Sequence, residues 1–146
     1  MRVFLGGTCN NSTWRNVLIP QLRCDYFNPV VADWTPECQA NELREREQAD
    51  IVLYVITPLM TGVYSIAEII DDSNKRPAKT IFCYLTRDRA PQTGETVHFT
   101  ASQVKSLRAV GDMVVRNGGR WIEDFHQLSA LLNEMSDATT HPVRGW

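Results

Sequence analysis

The sequence predicts a three-layer α/β/α protein: a parallel sheet of about five strands with helices on both faces. Three observations carry this expectation. The run "IVLYVI" (51–56) is six apolar residues, rich in β-branched side chains, as in a strand covered on both sides. "RVFLGG" (2–7) is a second short buried strand, closed by a glycine pair. These and later strands alternate with helix-patterned segments, which gives an open sheet of flavodoxin or Rossmann type.

The elements follow in order. After the first strand, "STWRNVLIPQL" places Trp14, Val17, Leu18 and Leu22 at helical spacing, with Ser12 as a candidate N-cap and Pro20 kinking or shortening the helix. "DYFNP" is a brief second strand stopped by Pro29, and "VVADWTP" is a loop. "PECQANELREREQAD" is a polar helix with Pro36 at its start. After the third strand comes a helix from about Gly62 to Asn74, then the strand "KTIFCYL" and a polar loop over residues 86–100. "ASQVKSLRAVGDMVVRNG" is a helix ended by Asn117-Gly118-Gly119. "RWI" is a last short strand, and "EDFHQLSALLNEM" a last helix. The expected organisation is one domain over 1–146, with 136–146 as a tail.

Composition narrows the function. A length of 146 residues, 43% hydrophobic and 22% charged, suits a globular protein with a real core. A formal net charge of −2 provides no attraction for a nucleic-acid polymer or an anionic membrane surface. No apolar run approaches the roughly 20 residues of a membrane helix. "MRVFLGG" is too soon interrupted for a signal peptide, so the expected location is cytoplasmic, with Cys9, Cys24, Cys38 and Cys83 as reduced thiols. The three histidines (His98, His126, His141) lack metal-ligand spacing, and no metal site is expected.

In sheets of this type, ligands bind beyond the carboxyl ends of the strands, near the point where strand order reverses. That rule selects three loops: Gly6-Gly7-Thr8, Asn28 to Trp34, and Thr57 to Gly62. Gly6 and Gly7 either let backbone amides approach a phosphate or sugar or simply make a tight turn; there is no full G-x-G-x-x-G and no Walker lysine. Asp33-Trp34 pairs a loop acid with an aromatic, suited either to a polar ring or to anchoring the loop. Glu68 is the one acid in an otherwise apolar helical stretch. The helical wheel puts Val63, Ile66, Ala67 and Ile70 on the core face, and Tyr64 with Glu68 on its flank. Taken alone, Glu68 reads as a ligand contact, as a solvated side, or as half of a Ser65-x-x-Glu68 capping box.

The order of "VFLGGT", "FNP", "DW", "ADIVLYVITP" and "TGVYSIAEI" resembles the nucleoside 2-deoxyribosyltransferase family, including its 2′-deoxynucleoside 5′-phosphate N-hydrolase relatives. The resemblance covers roughly the first 85 residues. It implies that Glu68 is the nucleophile of N-glycosidic bond cleavage and that Glu42 is a supporting acid, standing where many members have Asp. It further implies that Gly6, Gly7 and Thr8 contact sugar or phosphate, that Asn28, Asp33 and Trp34 line the pocket, and that Thr57, Gly62 and Tyr64 border it, with the Tyr64 hydroxyl orienting Glu68. The partner implied is a small nucleoside or nucleotide, without metal or organic cofactor, and the assembly a homo-oligomer.

The chain departs from the family pattern at two places. Thr57 stands where many transferases carry a base-holding Asp, closer to the hydrolase branch, and the segment from Gly62 to Glu68 is longer than usual. These departures motivate a rival reading, a non-catalytic nucleotide-binding or regulatory module; a glycohydrolase acting on NAD or a related nucleotide and a flavodoxin-like domain of unrelated role are the further alternatives.

Overall fold

The computed structural model describes residues 1–9 and 11–141. Its elements run β1 (Arg2–Gly7), α1 (Trp14–Leu18), β2 (Asp25–Phe27), α2 (Pro36–Gln48), β3 (Ile51–Ile56), α3 (Tyr64–Lys75), β4 (Thr80–Tyr84), β5 (Arg87–Arg89), β6 (Thr96–His98), α4 (Ala101–Arg116), β7 (Arg120–Trp121) and α5 (Leu128–Thr140). Five strands form one parallel sheet in the order β2-β1-β3-β4-β7. The chain therefore steps outward from β1 to β2, then crosses back to β3, and the order reverses between β1 and β3. Every residue of β3 is buried, as its unbroken apolar run requires.

Alternation along the strands sends side chains to two separate cores. Val3, Leu5, Leu53, Val55 and Ile81 pack with Trp14 and Leu18 of α1 and with Leu128 and Leu132 of α5. Phe4, Val52, Tyr54, Ile56 and Phe82 pack with Ile69 of α3 and with Leu107 and Val114 of α4. In α2 the one buried residue is Arg46, so this helix is fastened to α3 by charge and not by an apolar stripe.

Local chemistry explains the starts of α2 and α4 and the end of α4. Thr35 accepts a hydrogen bond from the Cys38 amide at 3.2 Å, and Pro36 opens α2. Thr100 and Gln103 form a reciprocal capping box on α4, with bonds of 3.1 and 2.8 Å. At the end of α4, Gly118 takes a φ of +97°, a conformation that glycine adopts without strain.

The structure corrects the expected elements in five places. Ser12 does not cap α1, which Pro20 shortens as expected: the Ser12 hydroxyl donates instead to Asp88 at 2.6 Å. The helix expected from Gly62 starts at Tyr64. Its inner face holds Ile69, Glu68, Asp72 and Ser73, whereas Val63 and Ala67 are exposed. The polar segment 86–100 contains an antiparallel ribbon, β5 with β6, whose lack of apolar alternation concealed it. That ribbon leans on the loop after β1 through Asp88 and through Gln92, which donates to Asn11 at 2.6 Å. Finally, α5 continues through Thr140, past the expected tail boundary at 136; residues 142–146 of that tail lie outside the described residues. Among the described residues no helix is long and apolar enough to cross a membrane.

Candidate active site

A cleft of about 310 Å³ opens at the carboxyl ends of β1 and β3, where the strand order reverses. Its floor is Gly6 and Gly7, one wall is the β2–α2 loop with Val30, Val31 and Trp34, and the other is α3 with Tyr64, Ser65 and Glu68; Glu42 reaches in from α2. A smaller lobe of about 130 Å³ shares Gly7, Cys9, Tyr64 and Ser65 with it and extends under Thr8, Leu59, Met60, Thr61 and Gly62.

The glycines are there for steric reasons as well as for access. A Cβ on Gly6 would lie 2.5 Å from the Tyr54 ring, and one on Gly7 would lie 2.1 Å from the Val55 carbonyl oxygen. Gly7 also has a φ of +109°, which a side chain would strain.

Glu68 lies in the second turn of α3 and is 8% exposed. The helix takes up the extra residues after Gly62, yet the carboxylate still faces inward. Its ionic contact is with Arg46, Nη1 to Oε2 at 3.5 Å. Burial pushes the Glu68 carboxyl up to about 7; Arg46 pulls it down, and Glu42, Asp72 and Asp71 add to the upward push. An acid so placed is poorly solvated when charged, and a poorly solvated carboxylate is a stronger nucleophile than one at the surface. It is not half of a capping box. The N-cap of α3 is Val63, without a side-chain cap, and the Ser65 hydroxyl donates instead to the Gly7 carbonyl at 3.3 Å, tying α3 to the end of β1.

The other sequence-predicted residues divide by position. Gly6, Gly7, Trp34, Glu42, Tyr64 and Glu68 meet in the main cleft. Thr8 and Gly62 line the smaller lobe. Trp34 is 62% exposed, so it borders the cleft mouth and does not anchor its loop in the core. Tyr64 is similarly exposed, and among the described residues no hydrogen bond joins its hydroxyl to Glu68. Asn28 and Asp33 stand outside both lobes. The Asn28 side chain accepts from the Val30 amide at 3.1 Å, and the Asp33 carbonyl accepts from the Cys38 thiol, so both shape the loop that presents Trp34. Thr57 is fully buried below the cleft, where its amide donates to Thr8 Oγ1 at 2.8 Å and its hydroxyl accepts from the Leu59 amide at 3.3 Å. It braces the two loops against each other.

Sequence reasoning missed the group behind Glu68. Arg46 Nε donates to Asp72 Oδ2 at 2.8 Å and Nη2 to Asp71 Oδ2 at 3.1 Å. Asp72, fully buried, also accepts from the Tyr54 hydroxyl and from Arg76. Two signals were available. Glu42 with Arg46, and Glu68 with Asp72, are each four residues apart and so share a helix face. Tyr54 is the one hydroxyl in a strand buried on both sides, and such a group needs a partner.

An α/β domain with parallel strand order 2-1-3-4-7 belongs to the open-sheet class whose ligand crevices lie at the switch point, and here the buried Glu68 carboxylate borders that crevice. Residues 1–86 of the 146 match the family model described as nucleoside 2-deoxyribosyltransferase like, and the chain belongs to that family. No curated protein matches it in sequence. The matched segment contains both lobes of the cleft and the Arg46 cluster. Membership marks a nucleoside-processing enzyme of the general deoxyribosyltransferase kind.

Proposed function

We propose that the protein cleaves the N-glycosidic bond of a (deoxy)nucleoside or nucleoside monophosphate through a covalent intermediate on Glu68. The observation that supports this most is the Glu68 carboxylate itself, 8% exposed and opening into the cleft that Gly6 and Gly7 floor. In the first step a Glu68 oxygen bonds to the anomeric carbon as the carbon–nitrogen bond breaks. The electron pair leaves with the base, which takes up a proton from solvent. In the second step water attacks the same carbon, its proton passes to Glu42, and the ester bond breaks to restore Glu68. A second free base in place of water would give transfer.

The shape of the cleft suits this substrate class. Trp34 and Tyr64 offer exposed aromatic surface at the mouth for a base, and the smaller lobe offers Thr8, Thr61 and Ser65 hydroxyls for the sugar and its 5′ end. Neither sequence departure opposes the reading: Thr57 acts as a buried brace, and the longer segment still turns Glu68 inward.

The test is incubation with a panel of deoxynucleosides, ribonucleosides, their monophosphates and NAD, with free base followed by chromatography. Released base, with an exchanged nucleoside when a second base is added, identifies transfer; release without exchange identifies hydrolysis. Release from NAD alone would replace this reading with the NAD glycohydrolase. No release from any of them, alongside saturable nucleotide binding, would replace it with a non-catalytic module.

A further inference from the structure

We propose that Arg46 is the positioning residue of the reaction: a guanidinium that stands behind Glu68 and aims its carboxylate at the cleft while being itself anchored by other carboxylates. This rests on the reading of Glu68 as the nucleophile.

The geometry carries the inference. Arg46 is 6% exposed and spends its strongest contacts elsewhere, at 2.8 Å on Asp72 and 3.1 Å on Asp71. Its contact with Glu68 is the longest of the three, at 3.5 Å, and Nη2 also donates to the Glu68 backbone carbonyl at 3.4 Å. A guanidinium that clamped Glu68 closely would lower its charge density and its nucleophilicity. One that stands back stabilises the charge and leaves an oxygen free for the anomeric carbon.

The same arrangement accommodates the covalent step. When Glu68 becomes an ester it loses its negative charge. Arg46 then still faces Asp72 and Asp71, so no buried cation is left unpaired. Asp72 is in turn held by the Tyr54 hydroxyl from β3 and by Arg76, so the anchor does not move when Glu68 reacts. The ionisable groups facing Glu68 are Glu42 and Arg46 from α2, Asp71 and Asp72 from α3, and Tyr54 from β3. Arg46 is the one cation among these five.

Two measurements test this in the full chain: titration of Glu68 by carboxyl-carbon NMR on glutamate-labelled protein, and the pH dependence of kcat/KM on the substrate that the panel identifies. Arg46→Gln is expected to raise the Glu68 midpoint by about one unit or more and to lower kcat/KM at neutral pH about tenfold, with activity recovering as pH rises. Arg46→Lys keeps the charge but cannot span three carboxylates. It is expected to leave the midpoint within about half a unit and still lower kcat about tenfold. A folded Arg46→Gln whose Glu68 midpoint and pH profile match the wild type overturns the proposal. If Arg46→Gln does not fold, an unchanged kcat in Arg46→Lys does so. Retained turnover in Glu68→Gln would instead remove the nucleophile, and the positioning role with it, even where NMR still reports the coupling. A dead Glu68→Gln beside an unshifted Arg46→Gln would sink the Arg46 assignment alone.

Discussion

Among the described residues two arginines are buried, and they are satisfied in opposite ways. Arg15, on the α1 side of the sheet, is 3% exposed. It donates to backbone carbonyls, at 3.0 and 2.8 Å to Leu5 and at 2.7 Å to Thr8, and its guanidinium lies over the Trp14 ring. Arg46, on the other side, is held by the carboxylates of Asp72, Asp71 and Glu68. Burial lowers the affinity of Arg15 for its proton. For Arg46 burial acts the same way, but hydrogen bonding to Asp72 and the negative charges of Asp72 and Glu68 outweigh it, and the net effect is a rise. The contrast separates two uses of one residue type. Carbonyl dipoles fix the path of a loop, here Gly7-Thr8-Cys9 beneath the cleft. Carboxylates make an electrostatic field, and the neighbouring acid responds to it.

The largest expected effect is at the acid. Glu68→Gln should lower kcat by about a thousandfold or more while the protein remains folded, as read by turnover and circular dichroism together. Near-normal turnover would remove Glu68 from the chemistry.

Next is the contrast between the arginines. Arg15→Met takes the guanidinium donors from the Leu5 carbonyl and leaves the Thr8 carbonyl with the Trp14 indole N–H at 2.9 Å; it should cost about 1–3 kcal/mol in urea denaturation, while the midpoint of the activity–pH profile stays in place. Arg46→Gln should move that midpoint. If both variants shift it equally, the distinction between scaffold and field fails.

Smaller, and readable without substrate, is the linkage to pH. The Glu68 carboxyl is raised from 4.5 to about 7 on folding. Its contribution to stability is therefore present in full below the unfolded value and is lost as pH rises through the folded one. Between about pH 4.5 and 7 the wild type should lose on the order of 1–3 kcal/mol relative to Glu68→Gln, measured by thermal melts across that window. Activity should move the other way, rising with pH through about 7 as the nucleophile ionises. Parallel stability curves for the two proteins would mean that the carboxyl is not raised.

The smallest effect is at the rim. Trp34→Ala should change stability by no more than about 0.5 kcal/mol, because the side chain is largely exposed, and raise KM about three- to tenfold if the indole meets the base. An unchanged KM would confine Trp34 to shaping the loop.

Much of this molecule is legible in its sequence, because strands buried on both faces and capped helices leave local marks. The apolar run of β3, the glycine pair of β1, the Asn117-Gly118-Gly119 stop of α4 and the alternation of strands with helices were enough for the fold class and for the edge of the sheet where a cleft would form. In α3 hydrophobic periodicity and the buried face do not coincide. The helical wheel assigned the inner face by hydrophobicity, and so put Glu68 on the flank and gave no role to Asp72. A buried carboxylate is costly unless it is paired, and its partner, Arg46, lies on a different helix 26 residues from Asp72. Periodicity reports the preferences of one segment, whereas charge burial is decided by what crosses that segment in space. The sequence by itself thus determined the sheet, its order of elements and the residue type available at the crevice. Only the packing of α2 against α3 decided which way that residue points and how readily it ionises, because both depend on distances between groups that are remote along the chain.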